Sequence, residues 1–383
     1  MRNLNEIRKD INAVDAEIRE LFLKRMALAE EVVTYKMCTG DRILKPEREK
    51  QILDTARSTV PPALQQEYLS FVKTAMRVSR KQQYETLLNQ HPEKLTFPLY
   101  PRNHAPQTVV CQGIEGSYQS AAATELYPSA QLSHVTSFED VFRAVSVGDA
   151  ELGLIPVENS TAGTINEVYD LLVRYQLYIV HSHVQPIRHC LCACAGATLD
   201  SVTDVYSIRP ALDQCHHYIA RKQLKECEAG NTAMAAKLVY QKNDPTCAAI
   251  CSEQAAALYG LSVLERNISD DEYNQTRFIV ISRQMSAEQQ DNRVSILFTL
   301  PHESGSLAAA LAVFADYECN LTEIHSRPLP EAPWNYRFYA DFSGNVLEKN
   351  TRTLLFQLFE ELPSARLLGC YTVTTTEECS ICS

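Results

Sequence analysis

Apolar residues near the start of the chain recur at the spacing of an amphipathic α-helix. They stand three or four positions apart, so they fall along one helix face, and they are Ile7, Ile11, Val14, Ile18 and Leu21. The pattern predicts a first helix from about Asn5 to Met37. A helix of that length is unusual in a globular domain and indicates a coiled-coil-like partner.

Prolines divide the rest of the helical region and mark its end. Pro46 opens a second helix, and Pro61-Pro62 opens a third that reaches about Leu88, because proline is favoured in the first helical turn. Residues 91–107 carry four prolines and no periodicity. We therefore expect an all-helical domain at residues 1–90, followed by a proline-rich linker.

Short apolar runs alternate with helical stretches over residues 108–283, which is typical of α/β architecture. Residues 293–372 follow a polar patch and read strand, helix, strand, strand, helix, strand. That succession, βαββαβ, is the ferredoxin-like order. The fold class is therefore multidomain, with an all-α domain, an α/β domain, an α+β ferredoxin-like domain and a tail at residues 373–383.

Charge and cysteine usage narrow the function classes. A net charge of -11 argues against nucleic acid or an anionic membrane as the main partner, because both attract a basic surface. The first residues lack the apolar core of a signal peptide, and no apolar run is long enough to span a bilayer. Together with thirteen cysteines, this predicts a cytoplasmic protein with reduced thiols.

Two cysteine groups are candidate metal sites. Cys190, Cys192 and Cys194 alternate along the chain, and thiols buried on one face of a strand are favoured over zinc because no paired CxxC motif accompanies them. Cys379 and Cys382 form a single CxxC motif in the tail, where disorder is the default. We expect neither a metal nor a cofactor.

Three loops in the α/β region carry the small residues typical of helix N-termini. They are residues 113–117, 159–163 and 230–232, and Thr164 stands three residues ahead of Glu167, which is the spacing of a capping box. Free N–H groups at helix starts bind anions, although any one such loop is more often a plain cap. None fits a nucleotide-binding glycine motif, so three starts facing one cleft predict an organic anion.

Cationic residues in the first helix suggest a binding site for a small anion. Arg25 and Lys36 are eleven residues apart, which returns nearly to the same helix face about 16 Å along the axis. Arg8 lies about 25 Å from Arg25 on a straight helix, so it reaches the same ligand only from a second copy of the chain. The alternative from spacing alone is a solvated basic face on a dimeric helical bundle.

The stretches "PEREK" and "VSRKQQ" resemble the all-helical chorismate mutases. Their reaction turns the dianion chorismate into prephenate without a nucleophile, so the protein has to hold the folded conformer and stabilise charge on the ether oxygen. The resemblance implies that Arg8, Arg25, Arg48 and Ser79 bind the substrate. It implies that Lys36 and protonated or amide donors, Glu49 and Gln83, face the ether oxygen. Lys45 departs from relatives that carry an acidic residue there.

The stretches "GIEGSYQSAAA", "PVENSTAGTINEVYDLL" and "NQTRF" resemble the prephenate dehydratases, whose two lobes are similar to periplasmic binding proteins. The resemblance makes Thr276 the acid for the departing hydroxyl and implies roles for Asn159 and Gln214. Glu158 either orders Asn159, which we favour, or acts on the leaving group through water. The implied substrate-binding positions are Ser117, Ser160, Thr161, Asn231, Thr232, Arg277 and Phe278. Ile208 and Arg209 depart from the usual sequence of the family.

The stretch "PHESGSLAAALAVFADYECNLTEIHSRP" resembles the ACT domains that end prephenate dehydratases and bind phenylalanine. The implied effector positions are Gly305, Ser306, Leu307, Ser326, Arg327 and Pro328. His325 stands where the family has glutamate and predicts a dependence on pH. The alternative is a ferredoxin-like dimerisation unit without a ligand.

The three resemblances follow one another from about Asn5 to Tyr371, in the order of the bifunctional chorismate mutase/prephenate dehydratases. They imply an enzyme that converts chorismate to prephenate and prephenate to phenylpyruvate, with feedback by L-phenylalanine. The expected partners are these small molecules and further copies of the chain, as a dimer or a tetramer. Two alternatives stay open: an arogenate dehydratase activity in the second domain, and a catalytically decayed phenylalanine-sensing protein.

Overall fold

The structure, a computed structural model, describes residues 2–329 and 332–376. The chain divides into two units. The first contains Met1–Phe97 and Leu297–Arg366, and the second contains Pro98–Ile296 and Leu367–Ser383. The predicted helical region and most of the predicted C-terminal domain therefore share one unit, whereas the predicted α/β region forms the other.

Three helices open the first unit, as the periodicity and the prolines predicted: α1 (Leu4–Thr39), α2 (Pro46–Thr59) and α3 (Gln65–Gln90). Asn3 caps α1 by accepting from the Asn5 backbone, and Glu6 completes a capping box. The helix ends at Gly40, whose φ of 70° suits glycine. A short 3-10 turn, Pro62–Leu64, precedes α3.

The first helix leaves much of its apolar surface exposed. Only Ala29 and Val33 of α1 are buried, and the exposed large apolar residues of this helix are Leu4, Ile7, Ile11, Val14, Ile18, Leu21, Phe22, Leu23, Leu28, Val32 and Tyr35. An apolar stripe of this length on a helix normally packs against another element. The predicted helix is confirmed, and its expected partner is not within the described residues of this chain.

The larger sheet of the second unit contains the strands β1 (Thr108–Gln112), β2 (Gln131–Val135), β3 (Leu152–Asn159), β4 (Gly163–Thr164), β5 (Tyr178–Pro186) and β11 (Gln275–Ser282). Their order across the sheet is β5-β11-β3-β1-β2, and the short β4 pairs with β3. The helices between them are α4 (Tyr118–Leu126), α5 (Phe138–Val147) and α6 (Asn166–Tyr175). The β1 strand is parallel to β2 and β3, whereas β11 runs antiparallel to β3 and β5.

A smaller sheet completes the α/β region, with the strands β6 (Cys190–Ala193), β7 (Asp204–Ser207), β8 (Lys225–Glu228), β9 (Cys247–Cys251) and β10 (Ser262–Glu265). Their order across the sheet is β10-β6-β9-β7-β8. Its helices are α7 (Arg209–Asp213), α8 (His216–Lys222), α9 (Thr232–Lys242) and α10 (Glu253–Leu258). The mixed α/β class is confirmed, with two sheets in one unit.

The C-terminal elements follow the predicted succession of strands and helices. They are β12 (Arg293–Leu300), α11 (Ser306–Asp316), β13 (Leu321–Leu329), β14 (Ala332–Ser343), α12 (Lys349–Glu361), β15 (Arg366–Tyr371) and β16 (Val373–Thr375). In the first unit β14 lies between β13 and β12. The predicted succession βαββαβ is therefore found along the chain from β12 to β15.

The last strands return to the larger sheet of the second unit. Gly369 of β15 pairs in parallel with Ile179 of β5, and β16 pairs with β5 from Val373 opposite Ser182. The segment predicted as a tail thus begins with a strand. Cys379 and Cys382 lie outside the described residues.

The segment predicted as a linker is packed against the second unit at one end. Arg102 has a side chain only 7% exposed, and it forms two hydrogen bonds of 2.8 and 2.6 Å with the buried carboxylate of Asp291. Both partners are desolvated, so loss of either leaves an uncompensated charge. Residues 98–107 therefore behave as part of the α/β unit rather than as a spacer.

The predicted strand of cysteines packs in the core of the smaller sheet. Cys190 and Cys192 share a buried apolar cluster with Cys247 and Cys251 of the neighbouring strand. Burial raises the pKa of the Cys190 thiol, so it stays protonated. Of the helices described, none is both long and apolar enough to cross a membrane.

Candidate functional sites

Helices α1 and α3 of the first unit bring four of the predicted mutase residues together. Arg25 donates to the hydroxyl of Ser79 and, at 2.6 Å, to the carbonyl of Ala75. Lys36 donates to the carbonyl of Ile43 at 2.7 Å and to the side-chain oxygen of Gln83 at 3.1 Å. The two cations thus project from one helix towards one face of another, as their spacing predicted.

Burial and charge shape the behaviour of the two cations. The pKa of Lys36 is lowered, first by burial and next by the positive charge of Lys45, while the Glu49 carboxylate opposes the shift. The pKa of Arg25 is also lowered by burial, and the Glu49 carboxylate opposes this shift as well. Glu49 is therefore close enough to act on both cations and belongs to the same cluster.

Glu49 forms a salt bridge with the guanidinium of Arg80. A carboxylate paired in this way accepts hydrogen bonds and does not donate them, so the contact favours an acceptor role for Glu49. Its role as a protonated donor stays a prediction of the sequence.

Within one chain, two predicted mutase residues make no described contact with the cluster. Arg48 is exposed at the start of α2 and donates to Gln51 at 3.4 Å. Arg8 is exposed on α1, and α1 runs without interruption through Arg25, so the two are about 25 Å apart along the axis. Within one chain Arg8 does not reach Lys36.

A cavity of about 240 Å³ in the second unit collects most of the predicted dehydratase residues. Residues from both sheets line it. The larger sheet and its connections contribute Gln112, Gly113, Ser117, Tyr118, Gln119, Pro156, Asn159, Ala162, Ile165, Thr276 and Phe278, and the remaining residues are Ile187, His189, Ile208, Pro210, Ala211, Gln214, Asn231 and Thr232. An apolar lining with a few convergent polar groups is typical of a small-molecule site.

Asn159 organises one wall of the cavity. Its amide nitrogen donates to the hydroxyl of Thr276 at 3.0 Å and to the side chain of Asn274 at 2.8 Å. Its amide oxygen accepts from the backbone N–H groups of Thr161 and Ala162 at 3.1 and 2.9 Å. The side chain therefore fixes the adjacent turn and the position of Thr276 together.

Gln214 links the Asn159 wall to the opposite side of the cavity. It donates to the hydroxyl of Thr161 at 2.7 Å and accepts from Asn274 at 2.9 Å. His189 contacts the same Gln214 oxygen at 3.0 Å, and burial lowers the pKa of this histidine. His189 is therefore neutral near pH 7, and its ring also contacts the hydroxyl of Tyr118 at 3.2 Å.

The predicted helix start at residues 159–163 is wrong. These residues turn the chain from β3 into β4, which pairs Glu158 with Thr164 and Asn159 with Gly163. Helix α6 begins later, at Asn166, and its N-cap is Ile165 rather than Thr164, without a side-chain cap. The small residues serve a tight antiparallel turn that is closed by the Asn159 side chain.

The other two predicted helix starts are confirmed and both line the cavity. Ser117 caps α4 by accepting from the Ser120 backbone, and Asn231 caps α9 by accepting from the Met234 backbone. Gly113 precedes the first of them with a φ of 102°, a conformation that side chains rarely adopt. The cavity therefore faces the positive ends of two helices.

Several predicted dehydratase residues do not line the cavity. Glu158 and Arg277 are opposite each other on β3 and β11, each next to a cavity residue along its strand, and side chains alternate between the faces of a sheet. Ser160 fixes the turn by accepting from the Gln275 backbone at 2.9 Å. Thr161 contacts the cavity network through Asn159 and Gln214.

The residues that depart from the usual dehydratase sequence take different places. Ile208 lines the cavity, so an apolar side chain occupies that part of the wall. Arg209 is bound by Asp213 at 2.5 Å and by Glu226 at 2.8 Å, and these carboxylates raise its pKa. Arg209 is therefore held by surface carboxylates and is not among the residues that line the cavity.

A smaller cavity of about 120 Å³ lies at the start of α11 in the first unit. Its lining includes Ser306 and Leu307 among the predicted effector residues, together with Leu300, Pro301, His302, Glu303, Tyr336 and Phe338. Gly305 is the N-cap of α11 with a φ of 86°. Ser326, Arg327 and Pro328 lie on β13 and do not line this cavity.

Sequence reasoning missed His189, Tyr118 and Arg80. Tyr118 stands inside the stretch "GIEGSYQSAAA", Arg80 inside "VSRKQQ" and His189 next to the cysteine run. The only sequence signal for these three residues was their position within or beside these stretches. Their partners Gln214 and Glu49 are distant in sequence, so no local spacing indicated the contacts.

Comparison with known proteins matches two families to the regions of the chain that contain these clusters. Residues 109–286 match the prephenate dehydratase family, and residues 7–84 match chorismate mutase type II. A bifunctional chorismate mutase/prephenate dehydratase of Escherichia coli (strain K12) is 30% identical over 375 residues, covering 95% of each chain. Arogenate dehydratase/prephenate dehydratase 2 of Arabidopsis thaliana is 36% identical over 279 residues, 70% of this chain and 73% of that protein.

Among solved structures, a prephenate dehydratase from Arthrobacter aurescens in complex with L-Phe is similar to this chain. It is 27% identical, with a TM-score of 0.65, and the match covers 69% of this chain and 90% of that one.

Proposed function

Since the chain belongs to the bifunctional chorismate mutase/prephenate dehydratases, we propose that its two described sites act in succession on one carbon skeleton. The enzyme rearranges chorismate to prephenate, as an isomerase, and converts prephenate to phenylpyruvate, as a lyase. The arogenate alternative is not favoured, because the bifunctional relatives match along 95% of this chain. The observation that carries the site assignment is the contact of Lys36 with Gln83 in the first unit and of Asn159 with Thr276 in the second.

In the mutase site, Arg25 binds a carboxylate of chorismate and Lys36 with Gln83 faces the ether oxygen. A guanidinium forks onto a carboxylate, and an ammonium placed where negative charge develops stabilises the transition state. Glu49, paired with Arg80, accepts from the ring hydroxyl of chorismate instead of donating to the ether oxygen. Ser79 fixes Arg25, to which it is hydrogen-bonded.

The second substrate carboxylate is bound by Arg8 of another copy of the chain. The exposed apolar stripe of α1 supports this, because its residues recur along the same helix that carries Arg8. Two such helices packed together would bury the stripe and bring Arg8 of one copy towards the cluster of the other. Both the dimer and the placement of Arg48 in the complete site are parts of this proposal.

In the dehydratase site, Thr276 donates a hydrogen bond to the departing hydroxyl of prephenate. Water and carbon dioxide leave and the ring becomes aromatic, so the reaction is strongly downhill and a weak acid suffices. Thr276 accepts from Asn159, which leaves its own proton for the leaving oxygen. Ser117, Asn231 and Thr232 stand at helix starts that suit the substrate carboxylates, and Phe278 packs against the ring.

Glu158 and Arg277 act indirectly in this proposal. They flank the cavity residues Asn159 and Thr276 along their strands, so they order the wall rather than contact the substrate. This is the role that the sequence favoured for Glu158.

The C-terminal elements form a ferredoxin-like ACT domain that binds L-phenylalanine as a feedback effector. The βαββαβ succession supports this, as do the cavity at Ser306 and Leu307 and the L-Phe complex of the similar dehydratase. Ser326, Arg327 and Pro328 would meet the effector only in an assembly of two copies. The likeness of the dehydratase region to periplasmic binding proteins stays a prediction.

The cytoplasm is the proposed location, because the core cysteines Cys190, Cys192, Cys247 and Cys251 are unbonded thiols, as expected in a reducing compartment.

A single assay tests the whole proposal. Chorismate is added to the pure protein, and the absorbance of chorismate and of phenylpyruvate is followed with and without L-phenylalanine. We expect chorismate to disappear and phenylpyruvate to form. L-phenylalanine should slow the formation of phenylpyruvate. Accumulation of prephenate without phenylpyruvate would contradict the dehydratase assignment, and arogenate supplied in parallel tests the alternative substrate.

A further inference from the structure

Helix α3 carries two sets of polar residues with different partners in the first unit. Ser79 and Gln83 contact the cations of α1. Arg77, Arg80, Lys81 and Tyr84 contact helices α11 and α12 or the residues at their ends: Arg77 binds Asp316 at 2.5 Å, Lys81 donates to the Asp316 carbonyl at 2.6 Å, and Tyr84 packs edge-on against Phe356. The mutase cluster and the C-terminal helices therefore share one helix.

Arg80 differs from its neighbours because it binds carboxylates on both sides. One terminal nitrogen of its guanidinium contacts Glu49. The other two nitrogens contact both oxygens of Glu361 at 2.8 and 3.3 Å. A planar guanidinium offers donors in a fixed geometry, so the position of Glu361 on α12 sets the position of Glu49 in the mutase cluster.

The contact is largely shielded from water, which makes it a strong constraint. The side chains of Arg80 and Glu361 are 14% and 10% exposed, and that of Glu49 is 26% exposed. Burial raises the pKa of Glu361 despite its partner, and the two carboxylates raise that of Arg80. Removing the guanidinium would leave two carboxylates near each other without a counter-charge.

We propose that Arg80 is a positioning residue of the chorismate mutase site, which holds the Glu49 carboxylate in place and fastens it to Glu361 of helix α12. The inference rests on the proposed placement of Glu49 in that site. Its consequence is that the mutase depends on an element that the sequence assigns to the regulatory region.

The competing explanation is that Arg80 only stabilises the fold. A substitution of Arg77 is the matched control for a substitution of Arg80. Arg77 lies three residues earlier on α3 and binds Asp316 with two hydrogen bonds, with both side chains comparably buried. It ties α3 to the C-terminal helices but has no contact with Glu49 among those described. Arg77→Met therefore reproduces the loss of a buried pair without touching the mutase cluster.

The test measures kcat and KM of the mutase and of the dehydratase in the full-length protein. For Arg80→Met we expect mutase kcat/KM to fall about ten- to a hundredfold, because misplacement of a group by about 1 Å has an effect of that size. Arg77→Met should lose less than about threefold, and the dehydratase of both variants should stay near wild type. Equal mutase losses in the two variants would overturn the proposal.

Two double variants separate positioning from stability. In a Glu49→Gln background, Arg80→Met should cost less than about a further twofold, because the two residues act as one unit; a full additional loss would overturn the proposal. Arg80→Met with Glu361→Gln removes both charges of the buried pair, so the melting temperature should recover while the mutase rate does not. Recovery of the rate along with the stability would show a structural role only. Wild-type mutase activity in Glu49→Gln alone would instead contradict the site assignment beneath the inference.

Discussion

Asn159 donates a hydrogen bond of 3.0 Å to the hydroxyl oxygen of Thr276 across the antiparallel pair of β3 and β11. The bond occupies an acceptor position of the threonine and turns its proton to another direction. Both residues line the same cavity. A residue with no pKa near neutrality thereby becomes a directed hydrogen-bond donor.

Replacing Thr276 by valine removes that donor and keeps the shape of the side chain. We expect dehydratase kcat to fall about a hundredfold or more, the lower end of what a general acid contributes. The mutase should be unaffected, since its cluster lies in the first unit. Phenylpyruvate formation from prephenate measures the first expectation, and chorismate consumption measures the second.

Thr276→Ser is the matched control for the valine variant. It retains a hydroxyl that accepts from Asn159, so we expect it to keep most of the dehydratase rate. A valine variant as active as the serine variant would remove Thr276 from the chemistry.

Mutase activity should fall at alkaline pH, and the pH of this fall should depend on Lys45. Lys36 has to be charged to donate to the ether oxygen, and its pKa is lowered by burial and by the charge of Lys45. The activity is therefore lost, as pH rises, earlier than for an ordinary lysine. Lys45→Glu removes a positive neighbour and adds a negative one, so the pKa of Lys36 rises and the alkaline limb of kcat/KM moves to higher pH.

The control for this titration is Lys50→Glu. Lys50 lies on the same helix and is exposed, but it is not among the groups that shift the pKa of Lys36. The Lys50→Glu substitution changes the net charge of the protein by the same amount as Lys45→Glu. An unmoved alkaline limb in Lys45→Glu, or an equal movement in both variants, would contradict the prediction.

Mixed dimers test whether two chains build one mutase site. Arg8→Ala and Lys36→Ala should each abolish mutase turnover while leaving the dehydratase intact. A mixed dimer, purified by two different tags, holds one site with both residues and should recover about half of the wild-type activity. Lys36→Ala with Gln83→Ala is the control, because both residues come from one chain and the mixture should stay inactive. Inactive Arg8/Lys36 mixed dimers would place Arg8 outside the site.

Gly369 should be intolerant of any side chain. A Cβ at this position would lie 2.1 Å from the carbonyl oxygen of Ile179, which belongs to the backbone of β5 and cannot move aside. We expect Gly369→Ala to reduce the stability of the second unit by about 3 kcal/mol, the upper end of overpacking costs. Urea unfolding of the full-length protein measures this.

Gly230→Ala is the contrasting variant for Gly369. Its Cβ would meet the end of the flexible Met234 side chain at 2.9 Å, which can rotate away. It should lose less than about 1 kcal/mol. Similar losses in the two variants would mean that β15 does not pair with β5 as described.

Helix and strand positions were predictable because they depend on local patterns. The periodicity of α1, the proline at the start of α2 and the order of the C-terminal strands and helices could all be read from neighbouring residues. The grouping of Arg25 with Lys36 also followed from helix geometry.

The turn at Asn159 was mistaken for a helix start for a physical reason. An asparagine oxygen that accepts from N–H groups two and three residues ahead occurs both in helix caps and in tight turns. The residues "NSTAGT" suit either structure, and only the pairing of β3 with β4 decides between them. The packing of Arg102 on Asp291 was missed because the two residues are 189 positions apart.

The contact of Arg80 with Glu361 also has a consequence for how the protein is made, because 281 positions separate the two residues. Closing a loop of that length is entropically costly and slow, and most of the second unit lies between the two ends. The ribosome synthesises α3 long before α12. The guanidinium of Arg80 is therefore made before the Glu361 carboxylate exists and stays solvated in the meantime. The part of the second unit that lies between them, Pro98–Ile296, is then well placed to fold first, and α3 and α12 to pack together later.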